Sequence, residues 1–165
     1  MTVLGVDPGL RVTGWGVVCA EGGSYRAAAS GTIAAPTDFP TEARLHHIFS
    51  ELCEIVARWR PEAVAVEDPF VAENARSAFA IGEARAVALL AAAQAGVPVV
   101  PYAPAEVKLA VTGYGRSDKA QVQELVRVQL GLDETPAPAD AADALAVALC
   151  HHLKSRAGAR LEATT

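Results

Sequence analysis

Four carboxylates in this chain stand where chemistry could gather. Asp7 closes the apolar run Val3-Leu4-Gly5-Val6 and is followed at once by Pro8-Gly9. Glu67 and Asp68 close a second apolar run, Ala63-Val64-Ala65-Val66, and Asp140 and Asp143 sit three residues apart at the start of an alanine-rich segment. Each has an ordinary alternative: Asp-Pro-Gly is turn chemistry, and Asp140 and Asp143 suit an N-cap and a first-turn acid. Their convergence is what points further. Acids at strand ends and on a helix N-terminal turn can meet at one edge of a sheet, and residues three apart on a helix share a face. Like charges brought together repel, and hard divalent cations, Mg²⁺ or Mn²⁺, relieve that repulsion. Mg²⁺ in particular binds through a few carboxylates plus phosphate oxygens. Two such ions about 4 Å apart can activate a water and stabilise the departing oxygen of an in-line displacement. The expected chemistry is metal-assisted attack at phosphorus, with Asp7, Glu67, Asp140 and Asp143 as ligands and no side-chain nucleophile.

The elements that must position these acids are legible as periodicities. Thr2 to Val6, Thr13 to Cys19 and Tyr25 to Ile33 read as three strands whose short connections make them antiparallel. Leu45, Ile48, Phe49, Leu52, Ile55, Val56 and Trp59 recur at spacings of three and four, predicting a helix over Thr41–Trp59 that Pro61 ends. Ala63 to Val66 is a strand reached through that helix, so it can lie parallel to an earlier one. A helix over Ser77–Ala95 and a short strand over Val97–Val100 follow. Three more helices are expected at Pro104–Val111, at Ser117–Leu130 with Ser117 or Asp118 as cap, and at Ala139–Leu153. The order βββαβαβααα predicts an α/β fold, a five-stranded mixed sheet flanked by helices. One domain over 1–154 and a flexible C-terminal tail over 155–165 are expected. The helix after Ser77 is apolar nearly all the way round beyond Arg85, which implies burial on more than one side and, in a small chain, a homodimer.

Composition narrows the classes. Hydrophobic residues make up 52% of the 165, but no uninterrupted apolar stretch of about 18 occurs and no signal-like N-terminus, so a cytoplasmic protein without membrane partners is expected. Cys19, Cys53 and Cys150 are widely spaced and fit neither a disulfide framework nor a zinc site. His46-His47 and His151-His152 are neighbours that point different ways on a helix, and are expected at a helix surface or as partners of a C-terminal dipole. The net charge of -5 argues against a polyanionic partner until four added positive charges from two divalent cations change it to -1. The basic residues gather in the second half of the chain. A phosphate-binding loop, a nucleophile elbow and a dinucleotide fingerprint are all missing, which disfavours the enzymes they mark.

The chain resembles the RuvC-type Holliday junction resolvases. The likeness is carried by Gly5-Val6-Asp7-Pro8-Gly9 with Arg11-Val12-Thr13-Gly14-Trp15-Gly16, and by Val66-Glu67 with Phe70 and Asn74. It continues in Ser77-Ala78, Gly82, Ala84-Arg85, and Ala139-Asp140-Ala141-Ala142-Asp143-Ala144-Leu145-Ala146. The resemblance implies an RNase H-like fold and a homodimer that binds four-way junction DNA. It implies symmetric cleavage of two strands with Mg²⁺, or Mn²⁺ as substitute, at two ions per site. Asp7, Glu67, Asp140 and Asp143 match the catalytic acids. Phe70 matches a base-stacking aromatic, and Lys108 and Lys119 match lysines near the scissile phosphate. Asn74 and Arg76 are further expected DNA contacts, and an ATP-driven branch-migration complex is an expected partner. This chain departs from the family in Asp68-Pro69 and Glu73, whose added acids are expected to bear on DNA affinity, cation preference or sequence preference, with Arg76 in local compensation. Alternatives are an RNase H-like nuclease for RNA:DNA hybrids or other branched nucleic acids, a catalytically silent junction-binding module, and an actin-like phosphotransferase. The last needs a second lobe.

Overall fold

The computed structural model describes residues 1–68 and 75–162, with side chains through Gly158. Its elements follow the expected order: β1 (Thr2–Asp7), β2 (Val12–Glu21), β3 (Ser24–Ala34), α1 (Thr41–Trp59), β4 (Ala63–Glu67), α2 (Ala75–Gln94), β5 (Val99–Tyr102), α3 (Pro104–Thr112), α4 (Lys119–Gln129) and α5 (Ala139–Glu162). The sheet runs β3-β2-β1-β4-β5. β1, β2 and β3 form an antiparallel meander, whereas β4 lies parallel to β1 and β5 parallel to β4. The parallel pairings are possible because α1 and α2 supply the long crossovers they require.

Alternation along each strand decides which face a side chain serves. Val3, Val18 and Ala65 pack with Val107 of α3, Val126 of α4 and Leu145 and Leu149 of α5. Leu4, Val6, Val17, Val64 and Val66 face the other way and pack with Ile48 and Leu52 of α1 and Ala88 and Ala92 of α2. The sheet is therefore covered on both sides, by α3, α4 and α5 on one and by α1 and α2 on the other. Leu145 and Leu149 are each about 1% exposed or less, and burial of such side chains contributes about 1.5–3 kcal/mol apiece.

Helix ends obey local chemistry. The Asp118 carboxylate accepts from Gln121 N at 2.8 Å while Gln121 Oε1 accepts from Asp118 N at 3.1 Å, a reciprocal cap that starts α4. α1 stops at Arg60, held in the left-handed region at φ 45° immediately before Pro61.

Several boundaries differ from expectation for physical reasons. β1 and β4 extend through Asp7 and Glu67, so both acids belong to the strands instead of the turns after them. β5 includes Pro101, whose missing N–H is tolerated on an edge strand. α5 continues past Leu153 to Glu162. His151 and His152 consequently lie inside a helix and not at its end, and packing against β2, β3 and β5 buries them. His152 Nε2 donates to Val18 O at 2.9 Å and His151 Nδ1 lies 2.9 Å from Tyr102 Oη. Burial lowers the pKa of both imidazoles.

Candidate active site

β1 and β4 run side by side in register, with Val6 opposite Val66. One residue on, Asp7 and Glu67 end adjacent parallel strands, at the carboxyl edge where open α/β sheets place their ligands. Strand alternation turns both toward α5, because Asp7 follows Val3 and Gly5 on that face and Glu67 follows Ala65.

α5 reaches them because the sheet beneath it lacks side chains. A Cβ on Gly5 would stand 2.0 Å from Ala144 O, one on Gly14 2.0 Å from Asp140 O, and one on Gly16 2.7 Å from Leu145 Cγ. Gly5, Gly14 and Gly16 form a trough across β1 and β2 into which the helix backbone settles. On the helix side Ala141, Ala144 and Ala148 are fully buried, small enough for the close approach. Gly14 pairs with Asp7 across the ladder, so the helix turn carrying Asp140 and Asp143 comes to rest beside Asp7.

Electrostatics report that convergence. Asp7 is pushed up from its ordinary 3.8 to about 8, first by burial, then by the charges of Glu67, Asp143 and Asp140. Glu67 is also raised, by burial and then by Asp143, while a hydrogen bond between the two carboxyls favours the proton on Asp7. Asp143 Oδ2 accepts from Lys119 Nζ at 2.5 Å, and that carboxylate holds the lysine above its usual range. Among the described residues no three His, Cys, Asp or Glu side chains are already drawn into a metal cage. The site is a cluster of mutually repelling acids, with Lys119 paired to Asp143 and the charges of Lys119 and Lys108 both acting on Glu67.

Two cavities flank the cluster. A small one of about 170 Å³ is lined by Glu67, Asp143, Lys108 and Lys119. A larger one of about 790 Å³ reaches Asp140 from the other side and is lined by Arg76 among others. The structure thus brings six of the sequence-derived residues, the four acids and the two lysines, to one place, with Arg76 on its far flank. Phe70 and Asn74 lie outside the described residues.

Comparison with known proteins matches residues 3–151 to the family model for crossover junction endodeoxyribonuclease RuvC. This chain belongs to the RuvC family. It is 49% identical over 151 residues to crossover junction endodeoxyribonuclease RuvC of Chloroflexus aggregans, covering 92% of each chain. The corresponding protein of Rubrobacter xylanophilus is 48% identical over 157 residues, covering 95% of this chain and 88% of that one. The structure superposes on Thermus thermophilus RuvC in complex with Holliday junction substrate at a TM-score of 0.92, with 40% identity and 96% of each chain covered. The fold is the RNase H-like α/β architecture of these resolvases.

Against that RuvC frame, Asp68 is placed differently from the sequence expectation. It follows Glu67 and so faces α2, where Arg85 Nε lies 3.0 Å from its Oδ1 and Arg85 Nη2 donates to Oδ2 at 3.2 Å. Its backbone N–H donates to Tyr102 O at 2.8 Å, continuing the ladder beyond Glu67. This added acid is neutralised on the face of the sheet away from Asp140 and Asp143. Sequence reading missed this pair, along with the glycine trough. The trough had a signal, since Gly5, Gly14 and Gly16 occupy alternate positions on two neighbouring strands.

Proposed function

We infer that this chain is a structure-selective DNA endonuclease that resolves four-way junctions by symmetric, metal-dependent phosphodiester hydrolysis. The observation that carries it is the meeting of Asp7, Glu67, Asp140 and Asp143 from β1, β4 and α5, with Asp7 driven up to about 8 by burial and its acidic neighbours. Such an excess of hard oxygen donors fits Mg²⁺, with Mn²⁺ as substitute, and two ions per site. When bound, the ions supply an activated water and stabilise the leaving oxygen. Asp7 and Glu67 hold their ligand atoms on strands that cannot shift independently, and Asp140 and Asp143 do so from a helix locked into the glycine trough. Lys108 and Lys119 line the flanking cavity and are suited to a DNA phosphate.

The same reading includes a homodimer. The outer face of α2 carries Phe79, Gly82, Ala86, Leu90 and Ala93 in one exposed stripe, with Phe79 74% and Leu90 58% exposed. Small residues between two large ones allow a second copy of α2 to approach closely. Two sites related by a two-fold axis suit a substrate with two equivalent strands. We place the nuclease domain at residues 1–154 and its work in the cytoplasm; no described helix is long and apolar enough to cross a membrane.

The test is incubation with a synthetic mobile junction, beside duplex and RNA:DNA hybrid, in Mg²⁺, Mn²⁺ or chelator. Paired nicks on two strands of like polarity, lost in chelator, are expected. Preferential cutting of the hybrid would overturn the substrate, and sedimentation as a monomer at micromolar concentration would overturn the dimer.

A further inference from the structure

The larger cavity beside Asp140 is walled by the β1–β2 turn, the start of α1 and the first turns of α2, and three arginines line it: Arg11, Arg44 and Arg76. Among the described residues Glu83 and Asp140 are its acids, and Asp140 already belongs to the carboxylate cluster. Arg44 is committed to structure, since its Nη2 donates to Leu10 O at 2.8 Å and braces the turn that carries Arg11. Arg11 and Arg76 are exposed. Neither makes a hydrogen bond or ion pair within the described residues, unlike Arg85 with Asp68 or Arg127 with Glu124. Two forked cations lining an open cavity, Arg11 on a braced turn and Arg76 in the first turn of α2, are suited to bidentate contact with phosphates.

The position gives this cavity a direction. Lys108 and Lys119 lie on the Glu67 and Asp143 side of the cluster, and the arginines lie on the Asp140 side. A strand whose scissile phosphate sits over the acids must leave the cluster on both sides. We propose that the arginine cavity holds the backbone of the cleaved strand on one side of the cut, with Arg11 as a principal phosphate contact, while Lys108 and Lys119 hold the other side. Arg44 is a positioning residue that sets the turn. The proposal rests on the junction-cutting reading and adds the path of the strand.

The experiment is phosphate-ethylation interference on a four-way junction in chelator, together with binding measured across salt concentrations, for the wild type, Arg11→Ala, Arg76→Ala and Lys108→Ala. Arg11→Ala is expected to weaken binding several-fold and to make the slope of log affinity against log salt shallower by about 0.7–0.9 per lost phosphate contact. It should abolish interference at phosphates on one side of the cut only, and Lys108→Ala on the opposite side only. Wild-type binding with an unchanged slope and pattern in Arg11→Ala, or loss of the same phosphates in Arg11→Ala and Lys108→Ala, overturns the strand path. A wild type that neither binds nor cuts the junction overturns the underlying reading instead. Circular dichroism of each variant separates lost contacts from lost folding.

Discussion

Gly14 lies so close beneath Asp140 that a methyl group on it would stand 2.0 Å from the Asp140 carbonyl oxygen and 3.2 Å from its Cβ. The first turn of α5 is thus seated by the absence of a side chain on β2, and the geometry of two acids depends on a residue that holds no charge.

Replacing Gly14 with alanine should therefore cost function as well as stability. Overpacking a tight contact costs about 1–3 kcal/mol, which urea denaturation will register. Cleavage should fall further than that loss implies, because Asp140 and Asp143 are lifted away from Asp7. Cleavage measured well below the unfolding midpoint, and equal to wild type, would show that the seat is not required.

Asp7→Asn and Glu67→Gln should retain junction binding and lose cleavage by at least about 1000-fold, equivalent to about 4 kcal/mol of barrier. Full activity in either variant would remove that residue from the catalytic set.

Asp7 should also leave a signature in stability. Its folded pKa, about 8, lies above its ordinary 3.8, so between these values the folded chelator-treated protein binds more protons than the unfolded one. Stability from this group is present below about pH 4 and is lost as pH rises toward 8. Asp7→Asn should raise Tm at pH 8 and above, by about 2–4 °C for each kcal/mol relieved, with the difference shrinking toward pH 4. A pH-independent difference would contradict the buried, acid-crowded setting.

His151 and His152 work in the opposite sense. Burial lowers both pKa values, so the stability tied to their neutral forms is complete above about pH 6.5 and declines below it, by at most about 1.4 kcal/mol per pH unit for each group. Thermal melts between pH 5 and 7 should show this decline, and a His151→Asn, His152→Gln double variant should flatten it.

Asp68→Gln should leave the ratio of Mg²⁺ to Mn²⁺ activity within about twofold, because Asp68 is held by Arg85 on the face turned away from α5. A clear shift in cation preference would show that its charge reaches the metals.

The four acids were legible because a charge closing a buried apolar run is unusual, and because strand and helix periodicities are local properties of the chain. The order of elements was legible for the same reason. What escaped depends on contacts between distant segments. Gly14 and Asp140 are neighbours only once α5 crosses β2. Asp68 could be counted as an excess acid from the chain alone, but its partner Arg85 becomes visible only when α2 lies over the end of β4. The histidines were misjudged because their burial comes from distant segments, Tyr102 of β5 against His151 and Val18 of β2 and Tyr25 of β3 against His152.

α5 supplies two of the four acids and also, with α3 and α4, covers one face of the sheet. Every other strand and helix described precedes it in the chain. Without α5 the chain would carry Asp7 and Glu67 but neither Asp140 nor Asp143, and Val3, Val18 and Ala65 would lose the Leu145 and Leu149 side chains that pack with them. Completion of the acid cluster and completion of this core layer therefore depend on the docking of the same helix.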